Sequence, residues 1–124
     1  MQETTVLLPH PVLFIMDFSN ESVEIPESSP SSCVSANSSC VSVKALADVD
    51  GEVTVTLAGI HEEPETNGFK NVFEGVVDTP ARKLAIVTSE NNKVAEMPVP
   101  NGKTTVVVSV DDETSPSRIL VKAR

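Results

Sequence analysis

The chain has 124 residues, of which 18 are acidic and 9 are basic, so its formal net charge is −9 at pH 7. An acidic surface repels phosphate backbones, and a chain with no Trp or Tyr lacks the usual platforms for base stacking, so direct nucleic-acid binding is not expected. At this length we expect a single domain, residues 1–124, that can fold without a metal or a disulfide.

No stretch of the sequence predicts a membrane span. The longest apolar run covers residues 12–16, far short of the roughly 20 residues that a helix needs to cross a bilayer. The first residues also lack the basic, then apolar, then small-residue order of a signal peptide. We therefore predict no membrane contact and a cytoplasmic location.

The predicted elements are strands. The chain contains 20 Val, 10 Thr and 5 Ile against 7 Leu, and β-branched side chains favour pleated surfaces over helices. In chain order, apolar alternation predicts strands over residues 4–8, 12–18, 41–47, 52–58, 69–77, 84–87, 94–99, 104–110 and 118–122. In the fifth strand we expect Phe69, Phe73 and Val77 to touch the core and Gly75 to mark a bulge.

Two tight turns are predicted between these strands. Asp50-Gly51 and Asn101-Gly102 each lie between alternating apolar runs. Such pairs are typical of type I′ hairpins, because both central residues of that turn need positive φ. Short spacing between turns predicts an all-β fold, an antiparallel β-sandwich or partly closed barrel of about eight or nine strands.

Residues 19–40 form the one irregular region, a loop rich in Ser. Its polarity is relieved mainly by Val23, Ile25 and Val34, which we expect to attach the loop to the body of the domain. A loop of this length in a compact domain is usually functional or mobile.

The sequence offers little catalytic machinery. Its two histidines are His10 and His61. His61-Glu62-Glu63 has metal-ligating side chains, but consecutive residues rarely point to one centre, so a solvated loop is the better interpretation. There is no nucleophile elbow and no Gly-rich phosphate loop. We predict no catalytic residue, no metal site, no cofactor and no enzymatic activity.

Cys33 and Cys40 lie seven residues apart in the Ser-rich loop, a spacing that does not match a CxxC redox or zinc motif. From the sequence a disulfide across the loop is feasible, although a reducing cytosol favours two free thiols. This part of the chain has no positive charge to activate a thiolate, so a catalytic cysteine is not expected.

The order of elements over residues 12–110 resembles a known family. The matching features are the apolar strand at 12–18 before a polar loop, the turn at Asp50-Gly51, and the strands at 69–77 and 84–87 followed by residues 97–102 and a Val-rich strand. This pattern is similar to that of the DNA-entry nuclease inhibitor (competence J) family and related bacterial β-sandwich proteins. The resemblance implies an acidic protein that inhibits a nuclease by protein contact. The chain departs from it in lacking Trp and Tyr, and no functional residue is carried over.

Two functions of different classes follow. In the first, the chain is a small acidic, non-catalytic binding protein, an inhibitor or immunity-type protein for a basic partner, because residues 1–43 contain no Lys or Arg. The candidate contact residues are Asp17, Glu21, Glu24 and Glu27, or alternatively Glu62, Glu63 and Glu65. In the second, the chain is a self-associating structural β-domain, a homodimer, because residues 106–108 are apolar on both faces.

Overall fold

The computed structural model describes residues 1–28 and 31–124, and the two residues between these ranges belong to the predicted Ser-rich loop. Within the described ranges the chain forms ten strands and a short 3-10 turn at Asp48–Asp50. The strands are β1 (Gln2–Val6), β2 (Val12–Met16), β3 (Val34–Ala36), β4 (Cys40–Lys44), β5 (Val53–Ala58), β6 (Lys70–Asp78), β7 (Lys83–Thr88), β8 (Lys93–Pro98), β9 (Lys103–Val110) and β10 (Arg118–Ala123). In the same ranges, no helix combines the length and the apolar character that crossing a bilayer requires.

The strands form two five-stranded sheets that pack face to face. Sheet 1 has the order β1-β5-β10-β9-β6, and sheet 2 has the order β3-β4-β2-β7-β8. Neighbouring strands are antiparallel, except that β5 and β10 are parallel. The predicted all-β sandwich is confirmed. The sequence prediction missed β3, whose three residues are too few to show an alternation.

One apolar layer fills the space between the sheets. Val106, Val108 and Val110 on β9 face this layer and are fully buried, as the alternation of the strand predicts, and Val77 on β6 joins them. The largest fully buried side chains of the layer are Leu8, Leu13, Ile15, Leu57, Leu84, Ile86 and Ile119. Burying a side chain of this size contributes about 1.5–3 kcal/mol, so this layer is the main source of stability.

The start of β6 differs from its prediction. Phe69 precedes the strand and does not enter the core; its ring lies 4.5 Å from the guanidinium carbon of Arg118. The bulge occurs between Asn71 and Phe73 rather than at Gly75. Gly75 instead lies under the ring of Phe73, where an added Cβ would come within 2.6 Å of that ring. The glycine therefore permits a close approach of ring and backbone.

Both predicted hairpins are wrong, because each turn carries the chain from one sheet to the other. Asp50-Gly51 joins β4 of sheet 2 to β5 of sheet 1, and Asn101-Gly102 joins β8 of sheet 2 to β9 of sheet 1. Gly102 does not adopt the positive φ that a type I′ turn requires. The turn between β6 and β7 holds Asn101-Gly102 in place. Thr79 in that turn donates its backbone N–H to the Gly102 carbonyl and its hydroxyl to the Asn101 carbonyl, both at 2.8 Å.

The chain crosses between the sheets four times, after β1, β4, β6 and β8, and the crossings meet in pairs at the two ends of the sandwich. At one end, the Asp48 N–H donates to the Leu8 carbonyl at 3.0 Å. At the other end, the Val99 N–H donates to the Arg82 carbonyl at 3.0 Å. Each crossing thus provides hydrogen-bond partners for peptide groups that have none in the sheets.

Two long connections lie on the outer faces of the sandwich. β2 and β3 are both antiparallel to β4, so they run in the same direction, and the chain must return along sheet 2 between them. The described residues of this connection are 17–28 and 31–33. β5 and β6 also run in the same direction, and residues 59–69 return the chain along sheet 1. Parallel strands always need such a crossover. Each of these two crossovers carries one of the predicted acidic groups.

The buried hydroxyl of Thr79 provides a test of the crossing. Replacing Thr79 with Val keeps the shape of the side chain but leaves the Asn101 carbonyl and the Thr104 hydroxyl, 2.9 Å away, without this partner. We expect Thr79→Val to lower the free energy of unfolding by about 1–3 kcal/mol, measured by urea denaturation. Thr5→Val is the control, because that hydroxyl contacts Thr54 at an exposed position, and it should change stability much less. Equal effects of the two substitutions would contradict the role of Thr79.

Candidate functional site

The first acidic crossover forms a surface element that we call the strap, residues 19–28. Its Val23 packs against an apolar cluster on the outer face of sheet 2. The buried members of that cluster are Met16, Cys40, Ala85 and Val87. Three acidic residues of the strap, Glu21, Glu24 and Glu27, are exposed. The strap forms no helix or strand, so its position depends on contacts with the body of the domain.

The carboxylate of Asp17 fixes the start of the strap. Asp17 follows β2 and is 0% exposed. One of its oxygens accepts a hydrogen bond from the Ser19 N–H at 3.0 Å, and the other accepts one from the Ala81 N–H at 2.7 Å. Since hydrogen bonds to a charged acceptor are about twice as strong as neutral ones, this residue joins the strap firmly to the turn between β6 and β7.

The backbone of Glu24 fixes the middle of the strap. Its N–H donates to the Ser39 hydroxyl at 2.9 Å, and its carbonyl accepts from the Asn37 amide at 2.9 Å. Both partners belong to the turn between β3 and β4, where the Asn37 side chain also accepts from the backbone N–H groups of Ser39 and Cys40. The Glu24 peptide is therefore held at both its donor and its acceptor, while its side chain extends to solvent.

The three strap carboxylates carry charge that the described residues do not neutralise. The ion pairs of the described ranges join Lys70 to Glu113, Lys93 to Glu96, Lys103 to Asp78, Arg124 to Glu74 and the Met1 amino group to Glu62. None of these pairs includes a strap residue. The strap therefore presents a negative edge on the outer face of sheet 2.

Apolar side chains lie beside this negative edge. Ile25, between Glu24 and Glu27 in the sequence, is 54% exposed, and Phe18, immediately before the strap, is 39% exposed. Val23 packs inward as predicted, but Ile25 does not attach the strap to the core. Exposed apolar groups within a charged rim are typical of protein contact surfaces.

The second acidic group lies on the opposite side of the sandwich. Both carboxylate oxygens of Glu62 already have partners within the chain. One oxygen contacts the Met1 amino group, and the other accepts a hydrogen bond from the Gly59 N–H at 2.7 Å. The hydrogen bond with that amino group, helped by the one from Gly59, lowers the pKa of Glu62. Glu65 accepts from the Asn67 N–H at 2.9 Å, whereas Glu63 is exposed.

Cations of β10 lie under this second crossover. Glu63 and Pro64 border a cleft together with Lys122 and Arg124. Glu65 borders a neighbouring cleft with Arg118. The acidic residues of this face are therefore mixed with basic ones. Near the strap, the basic residues are Lys44, which borders a cleft with Ile25 and Pro26, and Lys93, whose amino group lies 6.0 Å from the centre of the Phe18 ring. Because the two sheets pack by their inner faces, the structure does not bring the two predicted acidic groups together, and one flat partner surface cannot cover both.

The burial of Asp17 corrects its predicted role. We predicted that this residue contacts a partner together with Glu21, Glu24 and Glu27, but a carboxylate with no exposed surface cannot do so in this structure. The sequence contained a signal for the difference. Asp17 follows a strand that is apolar on both faces, and an acid in such a position is buried only when hydrogen-bond donors hold it; the distant donor, the Ala81 N–H, could not be identified from the sequence.

The two cysteines are free thiols, and they lie too far apart to bond. The Cys33 carbonyl accepts from the Lys44 N–H, so Cys33 lies beside the end of β4, whereas Cys40 is its first residue. Four residues of strand span about 13 Å, and a disulfide needs Cα atoms within about 7 Å. Burial raises the pKa of Cys40 to about 12, and burial and Glu113 raise the pKa of Cys33.

The histidines do not form a metal site with their neighbours. His10 lies in the first crossing and His61 in the second crossover. Within residues 1–28 and 31–124, no three His, Cys, Asp or Glu side chains are grouped so that they could hold an ion.

Comparisons with known proteins bear on the fold. No family model matches the sequence, and no curated protein sequence does either. The structure is similar to the crystal structure of ComJ from Bacillus subtilis, described as an inhibitor of the DNA degrading activity of NucA, with a TM-score of 0.71 and 8% identity over 99% of this chain and 94% of that chain. The solved structure named crocagin biosynthetic gene J has a TM-score of 0.49 and 14% identity over 98% of this chain and 96% of that chain. The resemblance to the competence J family that the sequence pattern suggested is confirmed at the level of structure.

The anchoring of the strap by Asp17 can be tested with Asp17→Asn. The amide retains one acceptor oxygen and loses the charge, so one of the two N–H groups, of Ser19 or Ala81, loses its partner. We expect a loss of about 1–3 kcal/mol in unfolding free energy and faster hydrogen exchange at both amides, measured by NMR. Glu90→Gln, at an exposed turn, is the control. Unchanged exchange at Ser19 and Ala81 would show that Asp17 does not hold the strap.

The positions of the thiols predict their reactivity. Cys33 is partly exposed and Cys40 is fully buried with a raised pKa, so a thiol reagent at neutral pH should modify Cys33 slowly and Cys40 much more slowly. In denaturant without a reductant, both thiols should react. Mass spectrometry of the labelled chain measures both. Absence of reactive thiols in the denatured chain would indicate a disulfide and contradict the separation described above.

Proposed function

We propose that the chain is a small non-catalytic binding protein that inhibits a basic protein partner, and that the strap forms its contact surface. The observation that carries the proposal is that Glu21, Glu24 and Glu27 are exposed on a segment that hydrogen bonds attach to the body of the domain at its start, through Asp17, and in its middle, through the Glu24 peptide. The structural resemblance to ComJ, described as an inhibitor of the DNA degrading activity of NucA, supports an inhibitor over an enzyme.

The physical argument is that the strap is organised before it binds. A segment that must order on binding loses conformational entropy at that moment, and fixed anchors at Asp17 and at Glu24 reduce that cost. Carboxylates that form no ion pair with another described residue also attract a cationic surface over a distance, which raises the association rate. Both effects favour fast and specific binding to a basic protein.

The strap is a better contact surface than the second acidic group. Glu62 is already engaged by the Met1 amino group and the Gly59 N–H, so binding through it would require these contacts to break. Lys122 and Arg124 also border that face. Because Lys44 and Lys93 lie near the strap, the preference for the strap depends mainly on the local contacts of Glu62. We therefore assign the partner contact to Glu21, Glu24 and Glu27 rather than to the second acidic group.

The alternative function, self-association into a homodimer, has less support. It was inferred from residues 106–108, which are apolar on both faces. In the structure β9 lies between β10 and β6, so it offers no free edge, and Val107 borders a cleft with Pro64 and Leu120. The apolar outer side of β9 is therefore partly covered by the second crossover of the same chain.

The proposal is tested by capture of the partner at two salt concentrations. The purified chain is immobilised, incubated with an extract of its own cells, and washed at low or high salt, and the bound proteins are identified by mass spectrometry. We expect a basic protein that is retained at low salt and released at high salt, and whose own activity falls when the purified chain is added. Its activity would be measured as DNA degradation if it is a nuclease. Retention that is independent of salt, or a partner without a basic surface, would overturn the proposal.

The strap carboxylates can be tested together. Changing Glu21, Glu24 and Glu27 to Gln removes three charges at exposed positions and should leave stability unchanged. We expect the association rate with the captured partner to fall by at least about tenfold at low salt, measured by surface plasmon resonance, and the difference to shrink as salt is raised. The control removes equal charge from other exposed positions, with Glu52→Gln, Glu63→Gln and Glu65→Gln. If the control slows association as much as the strap variant, the net charge is responsible and the strap is not.

A further inference from the structure

An apolar cleft of about 450 Å³ lies between the strap and the adjacent strands of sheet 2. Most of the residues around it are apolar: Pro11, Val12, Phe14, Ile25, Pro26 and Ala45. Two of them belong to the strap, and the others belong to β2 or lie next to β2 and β4. The cleft is therefore built from the same element that carries the negative edge.

Exposed carboxylates adjoin the strap side of the cleft, and a cation, Lys44, borders its other side. Glu24 and Glu27 flank the Ile25-Pro26 pair in the sequence and are exposed. Across the cleft, Lys44 and Thr114 border both this cleft and a second, more polar one of about 490 Å³. The two clefts therefore adjoin and form a groove, apolar beside the strap and polar beyond Lys44.

We propose that the apolar cleft receives one large apolar side chain from the basic partner, on a segment in which basic residues flank that side chain. This inference rests on the proposed function and adds to it the chemistry of the partner's contact residue. Charge complementarity on the strap side selects this occupant: the carboxylates of Glu24 and Glu27 attract the flanking cations on the side away from Lys44, and Ile25 between them contacts the apolar side chain.

The carboxylates of the strap and the apolar cleft contribute differently to binding, because they differ in their exposure to water. Exposed charge pairs at a rim contribute little affinity, because water and salt screen them, whereas an apolar group that enters a cleft loses much of its contact with water. The Glu residues therefore control the association rate and orientation, and the cleft controls how long the complex lasts. Loss of Ile25 should consequently act mainly on dissociation, unlike loss of the carboxylates.

The test uses two synthetic peptides in place of the partner. The peptides Lys-Lys-Leu-Lys-Lys and Lys-Lys-Ser-Lys-Lys, both acetylated and amidated at their ends, have the same charge and differ in one side chain. Each is titrated into the labelled full chain and followed by NMR. We expect the Leu peptide to bind about tenfold more tightly than the Ser peptide and to shift the signals of Phe14, Ile25 and Ala45. Equal binding of the two peptides, no binding, or shifts at another surface would overturn the inference.

A matched pair of substitutions localises the effect. Ile25→Thr reduces the apolar wall of the cleft, and Val76→Thr makes a similar change on β6 of the other sheet, where the side chain is 51% exposed against 54% for Ile25. We expect Ile25→Thr to remove the preference for the Leu peptide and Val76→Thr to retain it. A preference for Leu that survives Ile25→Thr would overturn the inference.

The peptide result is separate from the capture experiment. If a basic partner is captured in a salt-dependent way but the two peptides bind equally, the strap carries the function without the cleft. If the Leu peptide is preferred but no basic partner is captured, the cleft binds as inferred and the proposed inhibitory function fails.

Discussion

This fold depends on hydrogen-bond partners for the peptide groups at the four points where the chain crosses between the sheets. A chain that leaves a strand loses its ladder partners, and buried N–H and carbonyl groups are costly without replacements. Here the crossings meet in pairs, so that Asp48 bonds to Leu8 at one end of the sandwich, and Thr79 bonds to Gly102 at the other. The apolar layer stabilises two stacked sheets, and these hydrogen bonds satisfy the backbone where the chain passes from one sheet to the other.

The same arrangement generates the candidate binding surface. Because β2 and β3 run in the same direction, the chain must return over the outer face of sheet 2, and a return over an apolar cluster needs a residue such as Val23 to cover it. Asp17 and the turn at Asn37 and Ser39 then fix the return segment at two points. The strap backbone is held at these points by hydrogen bonds that also satisfy its peptide groups, so order in the strap requires no strand of its own.

The similarity to ComJ at 8% identity indicates how little of this architecture depends on particular residues. Alternation on the strands and partners for the crossing peptides are enough to specify two such sheets, and many side chains meet both requirements. The outer faces are free to differ, and in this chain they do: the strap carries three exposed carboxylates that form none of the ion pairs of the described residues, whereas on the face of sheet 1 acidic residues share clefts with Arg118, Lys122 and Arg124. Under the proposed function, that asymmetry orients the molecule toward a basic partner.

The sequence by itself determined the strands and the faces that they bury, because alternation is a local property and burial of one face follows from it; Val106, Val108 and Val110 show this directly. Only the tertiary structure decided what Asn101-Gly102 does. The preference of Asn-Gly for a hairpin turn stabilises the chain less than the hydrogen bonds that Thr79 makes to these two residues. Thr79 lies 22 residues before Asn101 in the sequence. The burial of Asp17 was likewise decided by distant contacts, since the Ala81 N–H that holds it belongs to another turn and no local pattern encodes that meeting.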